Sequence, residues 1–207
     1  MNFLIKVCGI TREDDAAIAV EAGANALGFN FYGRSSRYIT PERAREIAST
    51  VRGNYLRVGV FVNASERELR RIAEQVPLDV LQLHGDESAY LPPPYRLWKS
   101  VHPGAPLADE ASKFEAYLLD TPSESFGGSG MTFSWQRAAG FPHRAIVAGG
   151  LDARNVAEAI AIARPWGVDA CSRIESHPGR KDAQRVRDFV RAAQCAASKL
   201  FPSEIPL

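Results

Sequence analysis

An α/β fold, a single compact (β/α)8 TIM barrel, is what this 207-residue sequence predicts. Three observations carry that expectation. Apolar strand-like runs alternate with amphipathic helical runs along the whole chain. Most of the strand runs are nearly continuous in apolar residues, as strands buried on both faces of a parallel sheet are. Eight such runs follow one another with no break in composition, which favours a closed barrel over an open doubly wound sheet. At this length the barrel is a small one, near the lower limit of about 200 residues.

In chain order, the first strand is Phe3–Cys8, ending in a Gly9-Ile10-Thr11 turn. The second, Ala26–Phe31, leads through the loop Gly33–Arg37 to a helix with the stripe Ala44, Ile47, Ala48, Val51. Thr40 precedes Pro41 at the first helical position. The third strand, Arg57–Val62, is followed by Ser65 and Glu68, a capping box, and the stripe Leu69, Ile72, Ala73, Val76. After the fourth strand, Val80–His84, the run Pro92-Pro93-Pro94 closes off the next helix early. The fifth strand, Leu97–Val101, precedes Pro103–Lys113, which holds Gly104 and Pro106 and little amphipathic pattern. The fifth helix is therefore expected to shrink to a loop or a single turn. The remaining strands are Ala116–Asp120, Ala145–Ala148 and Gly167–Cys171. Two more helical stripes, Val156-Ala159-Ile160-Ala163 and Val186-Phe189-Val190-Ala193, lie after the last two. Residues 1–200 form the barrel domain in this reading, with 201–207 a disordered tail.

Composition excludes several classes. A hydrophobic content of 45% is that of an ordinary globular core. A formal net charge of +1 lacks the basic excess of a nucleic-acid binder. The N-terminal Met-Asn-Phe-Leu-Ile-Lys has its cation after the apolar residues, unlike a signal peptide, and no run is long enough to span a bilayer. Three cysteines, an odd number, suit a reduced cytoplasmic protein. No His, Cys, Asp or Glu cluster has metal-ligand spacing, and no dinucleotide fingerprint precedes a helix. No metal and no cofactor are expected. Oligomeric state, monomer or homodimer, is not readable from the helix surfaces.

In a parallel barrel the strand C-termini share one mouth, where the chemistry is done. Their ends here are Cys8, Asn30, Asn63, His84, Ser100 with His102, Asp120, Gly149-Gly150 and Ser172-Arg173, a dense polar set from apolar strands. Gly149-Gly150-Leu151-Asp152 runs from strand seven into a helix, so backbone and helix N-terminus can receive an anion. Ser172 ends strand eight beside it, and loops seven and eight are the usual phosphate cup. Cys8 and Asp120, on strands one and six, face each other obliquely across the mouth, as a thiolate base and a protonated acid would. Each has a plainer reading, Cys8 as a buried inert thiol and Asp120 as a turn cap. Arg37 can clamp a carboxylate with two parallel hydrogen bonds. His84 either donates to a ligand or satisfies a strand-end carbonyl. Cys171 reads as packing.

Eight segments together resemble the phosphoribosylanthranilate isomerase family. They are Lys6-Val-Cys-Gly-Ile-Thr11, Ala26-Leu-Gly-Phe29 with Ser36-Arg-Tyr-Ile-Thr-Pro-Glu42, Leu81-Gln-Leu-His-Gly85, Leu118-Leu-Asp120, Gly127-Gly-Ser-Gly130, Ala148-Gly-Gly-Leu151 and Pro178-Gly-Arg-Lys-Asp182. They run from the first strand to the last helix. The resemblance implies an Amadori rearrangement of tryptophan biosynthesis, from N-(5-phosphoribosyl)anthranilate to 1-(o-carboxyphenylamino)-1-deoxyribulose 5-phosphate, without cofactor or metal. It also implies roles: Asp120 as general acid on the ring oxygen, Cys8 as general base at C2, and Arg37 on the anthranilate carboxylate. Gly149, Gly150 and Ser172 would hold the phosphate. One position departs from the family pattern. Ser172 is followed by Arg173 where a glycine is usual, and the arginine is expected to reach the phosphate through its side chain instead of pairing outward with Glu175. Three rivals stand beside this reading. One is a related barrel isomerase also serving histidine biosynthesis, which uses aspartate at the end of strand one. Another is a non-catalytic phospho-ligand binder. The third is a cysteine hydrolase with Cys8 as nucleophile. The glycines of Phe126–Thr132 permit a lid and do not require one.

Overall fold

The computed structural model of the chain describes residues 3–85, 95–105, 107, 113–121 and 132–201. Eight parallel strands, β1 (Leu4–Cys8), β2 (Ala26–Asn30), β3 (Leu56–Phe61), β4 (Val80–Leu83), β5 (Arg96–Val101), β6 (Ala116–Leu119), β7 (Ala145–Val147) and β8 (Gly167–Ala170), close into a barrel in sequence order. β8 pairs back onto β1, with Leu4 opposite Gly167 and Val7 opposite Ala170. Closure leaves the barrel sheet without an edge strand. Among the described residues no helix is long and apolar enough to cross a membrane.

The helices follow their caps and stripes. In α2 (Pro41–Thr50) the Thr40 side chain accepts from the Arg43 N–H, and in α3 (Glu66–Gln75) Ser65 accepts from the Glu68 N–H. The buried faces of α4 (Val156–Ala163) and α5 (Ala183–Leu200) contain all the predicted positions; that of α2 contains Ala44, Ile47 and Ala48, while Val51 is its half-buried C-cap. Another helix, α1 (Glu13–Glu21), lays Ala16 and Ala19 against the sheet, small residues that apolar spacing flags weakly. A short hairpin, β9 (Glu175–His177) and β10 (Arg180–Lys181), precedes α5. Phe201, assigned to the tail, stacks on Phe3 at 5.9 Å and so belongs to the barrel wall. Residues 202–207, Pro92-Pro93-Pro94, most of Pro103–Lys113 and nearly all of Phe126–Thr132 lie outside the described residues, and with them the expectations about the fourth and fifth helices and the lid.

Six predicted strands end one residue too far: Phe31, Val62, His84, Asp120, Ala148 and Cys171 each sit just past the ladder. Those positions are apolar or rim-facing and continue the alternation of the strand, and Phe31, His84, Asp120 and Ala148 still donate their N–H groups to the neighbouring strand.

Two apolar clusters build the core. One lies between sheet and helices, with Ile5, Val7, Leu27, Phe29, Leu81 and Leu83 facing out from the strands onto Ile47, Leu69, Ile160 and Phe189. The other fills the barrel floor, from Leu4, Ala26, Val58, Val80, Trp98, Ala116 and Ile146. Trp98 packs edge-on against Trp166 at 5.8 Å and plugs the lower end.

Candidate functional site

Side chains two apart on a strand share a face. One layer above the floor, the inner residues are Lys6 on β1, Gln82 on β4, Leu118 on β6 and Asp169 on β8. One layer higher stand Cys8, His84, Asp120 and Cys171, which line a single cavity with Asn30 and Arg37. The mouth thus brings together four of the predicted site residues: Cys8, Asp120, Arg37 and His84.

Two glycines make room for Cys8 and Asp120. A Cβ at Gly28, on β2 opposite Cys8, would lie 2.6 Å from the Cys8 Sγ. A Cβ at Gly149 would lie 2.9 Å from the Asp120 carboxylate, and its φ of 80° is one that L residues avoid.

The charges are set below the cavity. Lys6 is wholly buried and bonds Asp169 at 3.0 Å. Burial alone would discharge this ammonium, but Asp169 and Cys8 outweigh it and keep it a cation. At Cys8 a hydrogen bond from Cys171 holds the thiol well below the usual range; burial opposes this, and Lys6 reinforces it. Asp120 moves the other way. Burial raises its carboxyl to about 6, against the lowering effect of the Thr121 N–H, which donates to it at 2.7 Å. Burial likewise raises Asp169 to about 7, with Lys6 pulling it back. A thiol held low and a carboxyl pushed up at one mouth have the tuning an acid–base pair needs.

His84 does not enter as a cation. Burial, with Lys6 and Lys99, lowers it to about 3, and its Nε2 faces the Gln82 side-chain amide. A neutral ring whose Nε2 accepts there carries its proton on Nδ1, so a donor is available to a ligand. Among the described residues the buried Oε1 of Gln82 has no hydrogen-bond partner.

Arg37 is held from behind. Its Nε and Nη2 meet Glu175 at 2.8–3.2 Å, and Glu175 is also bonded by Lys181 at 2.9 Å. This edge is taken by a carboxylate of the protein, which fixes the guanidinium plane at the cavity wall; among the described residues Nη1 makes no hydrogen bond. The hairpin β9–β10 carries Glu175 and Lys181 to Arg37. Gly179 turns it at a φ of 84°, and Asp182 caps α5 by accepting from the Gln184 and Arg185 N–H groups.

The anion cup differs from expectation in three ways. The helix after Gly149-Gly150 begins only at Val156, because Asn155 accepts from the Asp152 N–H and donates to the Gly150 carbonyl, forming a turn first. Gly149 and Gly150 carry φ values of 80° and 60°, so their N–H groups turn with a left-handed backbone, not with a helix end. A single 3-10 turn, Ser172–Ile174, follows β8 instead. Arg173 pairs with Asp152 at 3.2 Å and not with Glu175, which is saturated by Arg37 and Lys181. Ser172 and Arg173 therefore sit on the loop beside Gly150, with Arg173 bridging loops eight and seven.

Cys171 is corrected as well: it lines the cavity beside Cys8 and is not wall packing. Lys6, Asp169, Gln82, Glu175 and Lys181 were all missed. A common signal marked three of them. Each is a polar residue in an apolar strand, two positions before a residue that the mouth exposes. Glu175 and Lys181 carried no such signal, since only the hairpin brings them to Arg37.

Comparison with known proteins gives one consistent result. Residues 5–192 match the family model described as N-(5'-phosphoribosyl)anthranilate (PRA) isomerase. The chain is 52% identical over 198 residues to the N-(5'-phosphoribosyl)anthranilate isomerase of Solibacter usitatus, covering 93% of this chain and 98% of that one. It is similar to the crystal structure of phosphoribosyl anthranilate isomerase from Thermotoga maritima, with a TM-score of 0.81, 36% identity, and 94% and 100% of the two chains covered. A crystal structure of such an isomerase in complex with reduced 1-(o-carboxyphenylamino)-1-deoxyribulose 5-phosphate is similar at a TM-score of 0.75 and 33% identity, covering 94% and 100%.

Proposed function

The chain belongs to the N-(5'-phosphoribosyl)anthranilate isomerase family, and we propose the following division of labour for the rearrangement it catalyses in tryptophan biosynthesis. The observation that carries it is the opposite tuning of two groups at one mouth: Cys8 pulled towards its thiolate and Asp120 pushed up to about 6.

The ligand is a small phosphosugar, as in the complexed relative. Asp120 gives its proton to the furanose ring oxygen. The C1–O bond breaks, and the anthranilate nitrogen lone pair forms a C1=N iminium. The Cys8 thiolate then removes the C2 proton, and the C2–H electron pair moves to neutralise the iminium as an enolamine. Loss of the O2 proton and gain of one at C1 give the ketone. Neither step requires a metal or a cofactor from this site; the iminium is the electron sink. Lys6 stabilises the thiolate before reaction. Arg37, braced by Glu175, offers its Nη1 edge to the anthranilate carboxylate. Gly149, Gly150, Ser172 and Arg173 receive the phosphate, the arginine by leaving Asp152 or by sharing it. The neutral His84 donates from Nδ1. Three free cysteines suit a reducing cytoplasm.

The direct test is steady-state isomerisation of freshly made phosphoribosylanthranilate, followed by loss of anthranilate-type fluorescence. Turnover is expected with the intact chain. No turnover, together with retained ligand binding, would leave a phospho-ligand binder. Equal turnover of the histidine-pathway aminoaldose would mark the dual-function isomerase, which Cys8 in place of an aspartate disfavours.

A further inference from the structure

Behind Arg37 stands a second cation. Lys181, on β10, has a fully buried side chain, and its ammonium lies 2.9 Å from Glu175 Oε1. Arg37, which lines the cavity, reaches the same carboxylate, with Nε 3.0 Å from Oε1 and Nη2 2.8 Å from Oε2. Glu175 is itself buried, its side chain only 3% exposed. Distant elements hold the hairpin in place. Asp15 of α1 accepts from the Lys181 N–H at 2.9 Å, and Arg185 of α5 donates to the Glu175 carbonyl at 2.6 Å. Thr11, after β1, donates to the Gly179 carbonyl at the hairpin turn.

From this arrangement we propose that Lys181 is a positioning residue that sets the ligand selectivity of the mouth: by matching the charge of Glu175, it leaves the charge of Arg37 to the carboxylate of the ligand. The proposal deepens the division of labour above and rests on Arg37 receiving that carboxylate. An arginine paired one to one with a protein carboxylate is close to neutral towards a second one. In a buried place the two carboxylates would also repel across a single guanidinium, with little water to screen them. Two cations on one carboxylate remove that conflict. Glu175 supplies orientation, since it occupies the Nε–Nη2 edge, and Lys181 supplies the charge balance. Cys8 lines the same cavity, and as the thiolate base it adds a negative charge that the ligand carboxylate also has to meet. The neighbours of Lys181 leave its role to Glu175. Asp15 meets the Lys181 backbone and not its ammonium. The other contacts of the ammonium are the Cys171 carbonyl at 3.3 Å and the Cys171 sulfur at 3.8 Å, both longer than the ion pair.

The experiment reads selectivity beside activity. Inhibition constants are measured, against turnover of phosphoribosylanthranilate, for reduced 1-(o-carboxyphenylamino)-1-deoxyribulose 5-phosphate and for its counterpart without the carboxylate. The intact chain is expected to prefer the carboxylated compound. Lys181→Met is expected to cut that preference by about tenfold, with the constant of the plain phenyl compound little changed. Glu175→Gln combined with Lys181→Met removes both charges, keeps an acceptor for Arg37, and is expected to return most of the preference. Lys181→Gln, which can still donate to Glu175 but carries no charge, repeats the test should the methionine variant fold poorly. An unchanged preference on loss of the Lys181 charge, equal weakening of both compounds, or no recovery in the double variant overturns the inference and leaves Lys181 as a strut of the hairpin. An undiminished preference in Arg37→Ala is a different failure, that of Arg37 as the partner of the carboxylate.

Discussion

The barrel interior changes character within two residues of each strand. At the floor, Leu4, Val58, Val80, Trp98 and Ala116 meet as a dry apolar layer. One layer higher on the same strands are Lys6 and Gln82, and above them Cys8, His84 and Asp120. Floor and mouth share backbone, strand register and burial. They differ in what burial does. For Trp98 it removes apolar surface from water and stabilises the fold. For Cys8, Asp120 and Lys6 it removes the water that would level their proton affinities, so each takes the charge its neighbours dictate. The same closed sheet therefore serves as scaffold at one end and as an electrostatic device at the other.

The sharpest way to separate the two ends is to remove the reacting groups. Cys8→Ala and Asp120→Ala are each expected to lower kcat by about 10²- to 10⁴-fold, the range of general acid–base terms, while thermal unfolding stays near that of the parent. A Cys8→Ala variant with parental kcat would erase the distinction. Next in size is the pair between the layers. Asp169→Ala strands the Lys6 ammonium in the interior and is expected to cost about 3–5 kcal/mol, measured as the loss in urea unfolding free energy. Leu4→Ala, at the floor below it, is expected to cost about 2–5 kcal/mol by leaving a cavity, yet to keep kcat per folded molecule. A fall in kcat matching that of Cys8→Ala would mean that floor and mouth are not separable.

The pH profile sharpens the mouth alone. Asp120 must hold its proton to act, so kcat/KM is expected to fall as pH rises past about 6, tenfold per unit well above it. Cys8 must lose its proton, so the acid limb falls as pH drops through the lowered thiol value. An alkaline limb with its midpoint near 9 in kcat/KM would remove Asp120 from the acid's role. The smallest effect belongs to the surface. Arg43→Ala breaks an exposed pair with Glu46 at 2.8 Å on α2 and is expected to cost about 0.3–0.5 kcal/mol, with no change in activity.

Much of this was legible in sequence because strands and helices announce themselves by period. Thr40 and Ser65 marked helix starts, and the stripe Val156-Ala159-Ile160-Ala163 marked a buried face; the structure has all of them. Cys8 and Asp120 were legible because a strand-end residue in a closed barrel has only one place to be. Arg173 was not. Whether it meets a phosphate, Glu175 or Asp152 depends on where two loops come together, and Glu175 had already been taken by Lys181 across the hairpin and by Arg37 from a loop far away in the chain. Cys171 was misjudged for the same reason: its neighbour Cys8 lies on the opposite end of the sequence, joined to it only by closure.

By itself, then, the sequence determined the number and order of the eight barrel strands, the caps at Thr40 and Ser65, most of the apolar faces and the strand-end positions of Cys8 and Asp120. All of these follow from local period and from which side chains prefer water. Only the tertiary structure decided the proton inventory of that mouth. Proton affinity is a property of neighbours and burial, and the neighbours of Cys8, from Cys171 and Asp169 to Asp120, come within reach only when β8 closes on β1.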